Sequence, residues 1–232
     1  MRSLRALLIG ALLLAAPAAA LAQAAPLPRV VESGGRHALL VDGAPFLMLG
    51  AQTNNSSNYP AMLPEVWPVI DALHANTVEI PVAWEQIEPR EGQFDFSYVD
   101  TLLPQARQHN VRLVLLWFGA SKNTSPSYAP EWVKGDTKRF PRMITRDGKT
   151  HYVLTPLARS TVQADSRAFA ALMRHIREID PQHTVIMMQV ENETGSYQSP
   201  RDFSPEANRL FAQSIPAELA SDGPPEQAVG LG

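Results

Sequence analysis

The 232-residue chain contains no cysteine, so no disulfide can staple it and packing alone must hold it together. It also lacks a strong charge bias, with 20 Lys+Arg against 23 Asp+Glu and a net charge of -3. Without a basic block able to track phosphates, nucleic acid is a poor partner. The six histidines, at 37, 74, 109, 151, 175 and 183, show no ligand spacing such as H-x3-H, and a zinc site is unsupported. A G-x-G-x-x-G or Walker-type loop is absent as well, which removes the usual nucleotide signals. No metal and no cofactor are therefore expected. The one long apolar block, residues 6–16, is too short to span a bilayer.

That block follows Arg2 and Arg5 and precedes Ala20-Leu21-Ala22, the pattern of a signal peptide over residues 1–22 with cleavage after Ala22. The expectation is a secreted or periplasmic protein, free of the membrane after cleavage. With 45% hydrophobic and 19% charged residues, what remains is ordinary for a globular domain with one sizeable core.

Residues 23–36 form a Pro- and Gly-containing lead-in with little pattern, and order is expected from His37. Residues 37–41 and 44–49 read as a hairpin about Asp42-Gly43, a dipeptide that tolerates the positive φ of a tight turn. The polar loop 50–58 follows, rich in amides. Val66, Ile70 and Leu73 stripe a helix over 64–75. Further strands are predicted at 77–82, 112–118 and 184–188, and helices at 97–109, with Ser97 as N-cap, and at 160–180. A short helix should run from Ser204-Pro205-Glu206 to about Ser214. Residues 124–157 carry Pro126, Pro130 and Pro141 and read as a long connection. Alternating strands and helices require a parallel sheet. Polar residues cluster after each strand and hardly before any, which is the polarity of a (β/α)8 barrel, whose reactive face is built from βα loops. An open α/β domain of four strands remains the alternative.

The organising stretch is Gln189-Val190-Glu191-Asn192-Glu193-Thr194-Gly195, after the apolar run 184–188. On an extended strand Glu191 and Glu193 point one way and Asn192 the other. A carboxylate buried there needs a job or a partner. At other strand ends Gln52, Asn54, Glu88 and Asn123 are candidate hydroxyl ligands. Glu88 is equally readable as a buried structural acid. Trp84 and Trp117 offer either faces for a sugar ring or core packing.

The stretch resembles the Q-V-E-N-E-Y-G of glycoside hydrolase family 35, with Thr194 in place of Tyr. Residues 84–96, from Trp84 through Glu88-Pro89 and Gly92 to Phe96, resemble the W-x-x-x-E-P-x-x-G-x-[FY]-x-F signature of retaining β-galactosidases of families 35 and 42. A V-D-G-x-P-F hairpin at 41–46 completes the series, which covers roughly residues 37–200. The resemblance implies an α/β, (β/α)8 TIM-barrel glycosidase fold, truncated to about its first four βα units over residues 37–215, with a tail at 216–232. It implies hydrolysis of terminal β-linked galactose with retention. Glu193 would be the acid/base and Asn192 the ligand of the sugar 2-OH. A carbohydrate is the implied partner. Glu191 is expected to be a supporting carboxylate, paired with an Arg on a neighbouring unit.

The third-strand loop departs from the family 35 pattern P-G-P-Y-x-x-A-E-W. Here it reads Trp117-Phe118-Gly119-Ala120-Ser121-Lys122-Asn123, which leaves another β-linked sugar open. In the families it resembles, the nucleophile of the retaining pair is a Glu at the end of the seventh strand; with only four strands counted and a full barrel taking about 250 residues or more, the resemblance implies a nucleophile beyond residue 232. A chain of this length would then be inactive alone, or a non-catalytic carbohydrate-binding remnant.

Overall fold

A computed structural model describes residues 25–123, 125–193, 196, 197 and 199–215. The expected signal peptide and tail lie outside these residues. The chain builds β1 (Arg29–Ser33), β2 (Arg36–Val41), β3 (Ala44–Pro45), β4 (Gly50–Gln52), α1 (Leu63–Ala72), β5 (Thr77–Ala83), α2 (Trp84–Ile87) and α3 (Ser97–Gln108). It continues with β6 (Arg112–Phe118), α4 (Glu131–Lys134), β7 (Arg142–Ile144), β8 (Thr150–Leu154), α5 (Arg159–Ile179), β9 (Val185–Val190) and α6 (Pro205–Phe211).

The fold is α/β around a parallel sheet of order β4-β5-β6-β9. Thr77 pairs with Gly50 and with Arg112, and Leu113 pairs with Val185. Each crossover carries a helix, as parallel pairing requires. Alternation along the strands divides the apolar residues between two faces. On one face Val78, Ile80, Val82, Leu113, Leu115 and Trp117 pack with the buried stripes of α1, α3 and α5. On the other, Val114, Leu116, Phe118 and Ile186 meet Val41, with Leu39, Phe46 and Tyr128 beside them.

The antiparallel sheet β1-β2-β3 sits at the N-terminal ends of these strands, where Asp42 pairs with Arg112 at the start of β6. The loops after the strands therefore stay free to build a site. The start of β9 is fixed by Asp180, which accepts from Thr184 N at 3.0 Å, Val185 N at 2.8 Å and Arg107 at 2.7 Å. Burial works to raise the Asp180 pKa, but these donors outweigh it and hold it below the usual value.

Several expectations are corrected. The lead-in is not patternless, since Arg29–Ser33 pairs along β2 through a turn at Gly34-Gly35, both with positive φ. The second hairpin arm ends at Pro45, not 49, and the first parallel strand begins at Gly50. Between them Asn76 takes over the backbone: its Oδ1 accepts from Leu49 N at 2.8 Å and its Nδ2 donates to Leu47 O at 2.9 Å. Ser97 is the first residue of α3 rather than its cap, and its N–H donates to Asp95 Oδ1 at 2.9 Å. The connection 124–157 contains α4 and the antiparallel pair β7–β8. No helix among the described residues is long and apolar enough to cross a membrane.

Candidate active site

The parallel strand β9 stops at Val190, and the strand alternation stops with it. Glu191 has φ 62° and Glu193 φ 44°, a left-handed conformation costly for residues with a Cβ. This turn overturns the expectation that the two glutamates share a side. Glu191 turns towards the helix layer, Asn192 towards the loop after β6, and Glu193 is exposed.

The partner of Glu191 is an aspartate and not the expected arginine. Asp165 of α5 accepts from Trp117 Nε1 at 2.8 Å and from Ala120 N at 2.9 Å. The Glu191 carboxyl accepts from the same Ala120 N at 3.2 Å and from Ser121 N at 3.1 Å. Two carboxyl groups thus share one backbone donor. Burial, then the hydrogen bond and charge of Asp165, push Glu191 up to about 9 against the pull of the Ser121 and Ala120 N–H groups. At neutral pH it holds a proton. Gly119 makes this crowding possible: a Cβ there would lie 2.3 Å from Glu191 Oε1, 2.5 Å from Trp117 Nε1 and 2.6 Å from Asp165 Oδ1. The pair lines a cavity of about 290 Å³ with Met143, Leu154, Phe169 and Val190.

Beside it, the loops after β6 and β9 are tied together. Lys122 Nζ donates to Asn192 Oδ1 at 2.9 Å and to Asn123 Oδ1 at 2.6 Å. Asn123 N donates to Asn192 Oδ1 at 3.4 Å, and Ser121 Oγ donates to the Glu193 carbonyl at 3.4 Å. Asn192, Glu193 and Asn123 are therefore gathered at one mouth. Of the two glutamates it is Glu191 that is desolvated, while Glu193 is exposed.

The other sequence-predicted residues lie elsewhere. Trp84 and Trp117 are 0% and 1% exposed, and Trp117 reaches only the wall of the cavity beside Glu191 and Asp165. Trp84 donates to Glu88 Oε2 at 3.0 Å and meets Trp132 edge-on, and Trp117 packs on Phe169. Glu88 takes the structural alternative: fully buried, it accepts from Gly92 N at 2.7 Å and pairs with Arg167 at 3.0 Å. Its carbonyl accepts from Trp132 Nε1 at 3.1 Å, so one residue ties α2, α4 and α5. Asn54 caps its own turn, accepting from Ser56 N at 3.0 Å. With Gln52 it lines a separate groove against α1.

Asp165, Gly119 and Lys122 were missed as site residues. Asp165 had a signal, since it occupies a core-facing position on the stripe that continues through Ala168, Leu172 and Ile176. A charged residue on a buried stripe points to a partner. The bond from Lys122 to Asn192 spans 70 positions of sequence and had none.

Residues 63–222 match the glycoside hydrolase family 42 model, described as β-galactosidase. A β-galactosidase from Xanthomonas manihotis is 26% identical over 219 residues, 92% of this chain and 34% of that protein. The chain thus spans about a third of that relative's length. A solved family 39 glycoside hydrolase from the gut symbiont Bacteroides cellulosilyticus WH2 aligns over 63% of this chain and 24% of that chain, at 12% identity and a TM-score of 0.42.

Proposed function

This chain belongs to glycoside hydrolase family 42, the β-galactosidases, and we propose that it supplies the acid/base half of a site that cleaves β-galactosides with retention. The parallel strands β4, β5, β6 and β9 act, in this reading, as the first four strands of a (β/α)8 barrel. The observation that carries it is the placement of Asn192 and Glu193 directly after a parallel strand, tied to the neighbouring strand-end loop through Lys122 and Asn123.

Glu193 lends its proton to the glycosidic oxygen and Asn192 binds the sugar 2-OH, a contact that tightens in the oxocarbenium-like transition state. Glu193 is exposed, so the sugar itself must cover it and exclude water from the proton it transfers. Glu191 is unsuited to that task because it is committed to Asp165 and the Ala120 and Ser121 N–H groups. Retention needs a second carboxylate roughly 5 to 5.5 Å from the acid, and the motif resemblance assigns it to a later strand. Export by the segment 1–22 belongs to the same proposal.

The exposure of Glu193 favours a second reading, a carbohydrate-binding chain without turnover. Release of p-nitrophenol from its β-galactoside, by a chain extended through the strand that carries the second carboxylate, separates the two. Slow release that vanishes in Glu193→Gln supports the enzyme, with retention read from the first anomer seen by proton NMR. Binding of methyl β-galactoside without release supports the second reading. Equal release by wild type and variant refutes the role of Glu193.

A further inference from the structure

The mouth contains a cation that the acid/base reading does not use. Lys122 is half-buried in the loop after β6, with its Nζ 4.9 Å from the centroid of the Phe118 ring. Its hydrogen-bond acceptors are two neutral amide oxygens, Asn123 Oδ1 and Asn192 Oδ1. Among the described residues no carboxylate pairs with it.

An ammonium has three N–H donors and no acceptor, whereas a carboxamide presents an acceptor on one side and two donors on the other. Lys122 therefore tolerates only the oxygen of Asn192 facing it. Asn123 N–H converges on that same oxygen at 3.4 Å, and it too can only donate. Rotating the amide by half a turn would set its NH₂ group against two donors and forfeit a charge-assisted bond. The amide is locked by its surroundings, with Nδ2 directed away from Lys122. No described residue accepts from Nδ2.

We propose that Lys122 is a positioning residue that fixes Asn192 as a hydrogen-bond donor to substrate, so that the site selects a pyranoside offering an oxygen acceptor at C2. The inference rests on the reading of this mouth as a sugar site and adds what decides the polarity of its contact. A rotating amide could either donate or accept and would discriminate poorly. A locked one donates to a 2-hydroxyl oxygen and loses its partner when the substituent is hydrogen.

The test is a ligand-observed NMR titration of the 232-residue chain with methyl β-galactoside and its 2-deoxy analogue. One neutral hydrogen bond corresponds to a preference of up to about tenfold for the 2-hydroxy sugar. In Lys122→Met the preference should fall to under about threefold, while Lys122→Arg, which also only donates, should retain it. A purely structural lysine would weaken both sugars alike and leave their ratio unchanged, and that result overturns the proposal while leaving the sugar site standing. If wild type binds neither sugar, the reading of the mouth itself fails and the role of Lys122 with it. Circular dichroism checks that Lys122→Met is folded. Should it not be, Lys122→Gln, which can also accept, must show an intermediate ratio, and an unchanged ratio there overturns the proposal equally.

Discussion

Replacing Glu191 by glutamine should flatten the pH dependence of stability. In the folded chain its carboxyl is pushed from the ordinary 4.5 up to about 9, by burial first and by Asp165 second. The folded state therefore keeps a proton that the unfolded chain releases above pH 4.5. Stability from this group is complete below that value and drains away as pH rises towards 9. Through that window the slope approaches one proton, about 1.4 kcal/mol per pH unit. Between pH 5 and pH 8 the loss is on the order of 2–4 kcal/mol, a large part of a typical domain's margin. Glutamine comes close to the protonated carboxyl, since its oxygen in place of Oε2 can accept from Ser121 N–H and its NH₂ in place of Oε1 can donate to Asp165, with Ala120 N–H left to Asp165 Oδ2, but it does not titrate.

Urea denaturation followed by tryptophan fluorescence at pH 5, 6, 7 and 8 reads the difference. All other titrating groups are common to the two proteins, so the divergence of their midpoints isolates this one. Glu191→Gln should match wild type at pH 5 within about 1 kcal/mol and exceed it increasingly towards pH 8, by about 1–2 M urea at the usual denaturant slopes. Parallel pH profiles would refute the shared proton.

Three further outcomes follow from the same geometry. Gly119→Ala should destabilise by about 1–3 kcal/mol through overpacking, because its methyl would lie within 2.6 Å of Glu191, Trp117 and Asp165; thermal melting at pH 5 checks it, and an unchanged midpoint contradicts it. Glu88→Ala should cost about 2–4 kcal/mol by leaving Gly92 N–H and the Trp84 indole unpaired in and around the core and Arg167 with only its longer contact to Glu91, seen as a lowered urea midpoint. Asp180 has a depressed pKa, so its contribution is present above pH 3.8 and disappears as pH falls through the lower folded value; Asp180→Asn should reduce stability at pH 6 and narrow its difference from wild type below pH 3.

The parallel sheet was legible because its strands are written as uninterrupted apolar runs. Arg112–Phe118 was bounded to the residue, since burial on both faces leaves no polar alternation to blur the ends. β1 was not legible: Val30 and Val31 are its only large apolar residues, and the Gly34-Gly35 turn that pairs it with β2 gives no periodic signal. β7 and β8 were hidden for a similar reason, being short and linked by a tight turn inside a proline-bearing connection. In the site, strand ends named the right neighbourhoods but not the directions of side chains. Trp84 and Glu88 follow β5 and Trp117 is the penultimate residue of β6, and all three side chains turn into the helix layer. Glu191 departs from alternation because its left-handed φ turns it onto Asp165. Contacts across 48 and 70 positions, Trp117 to Asp165 and Lys122 to Asn192, are set by tertiary packing and leave no local trace.

The most direct test of a sugar site at the end of β9 is a ¹⁵N chemical-shift titration of the chain with methyl β-galactoside. The account predicts saturable shifts confined to the Asn192 side-chain amide, the Glu193 backbone and residues 121–123. Saturable shifts in the groove that Gln52 and Asn54 line with α1, with Asn192 and Glu193 unmoved, would contradict it.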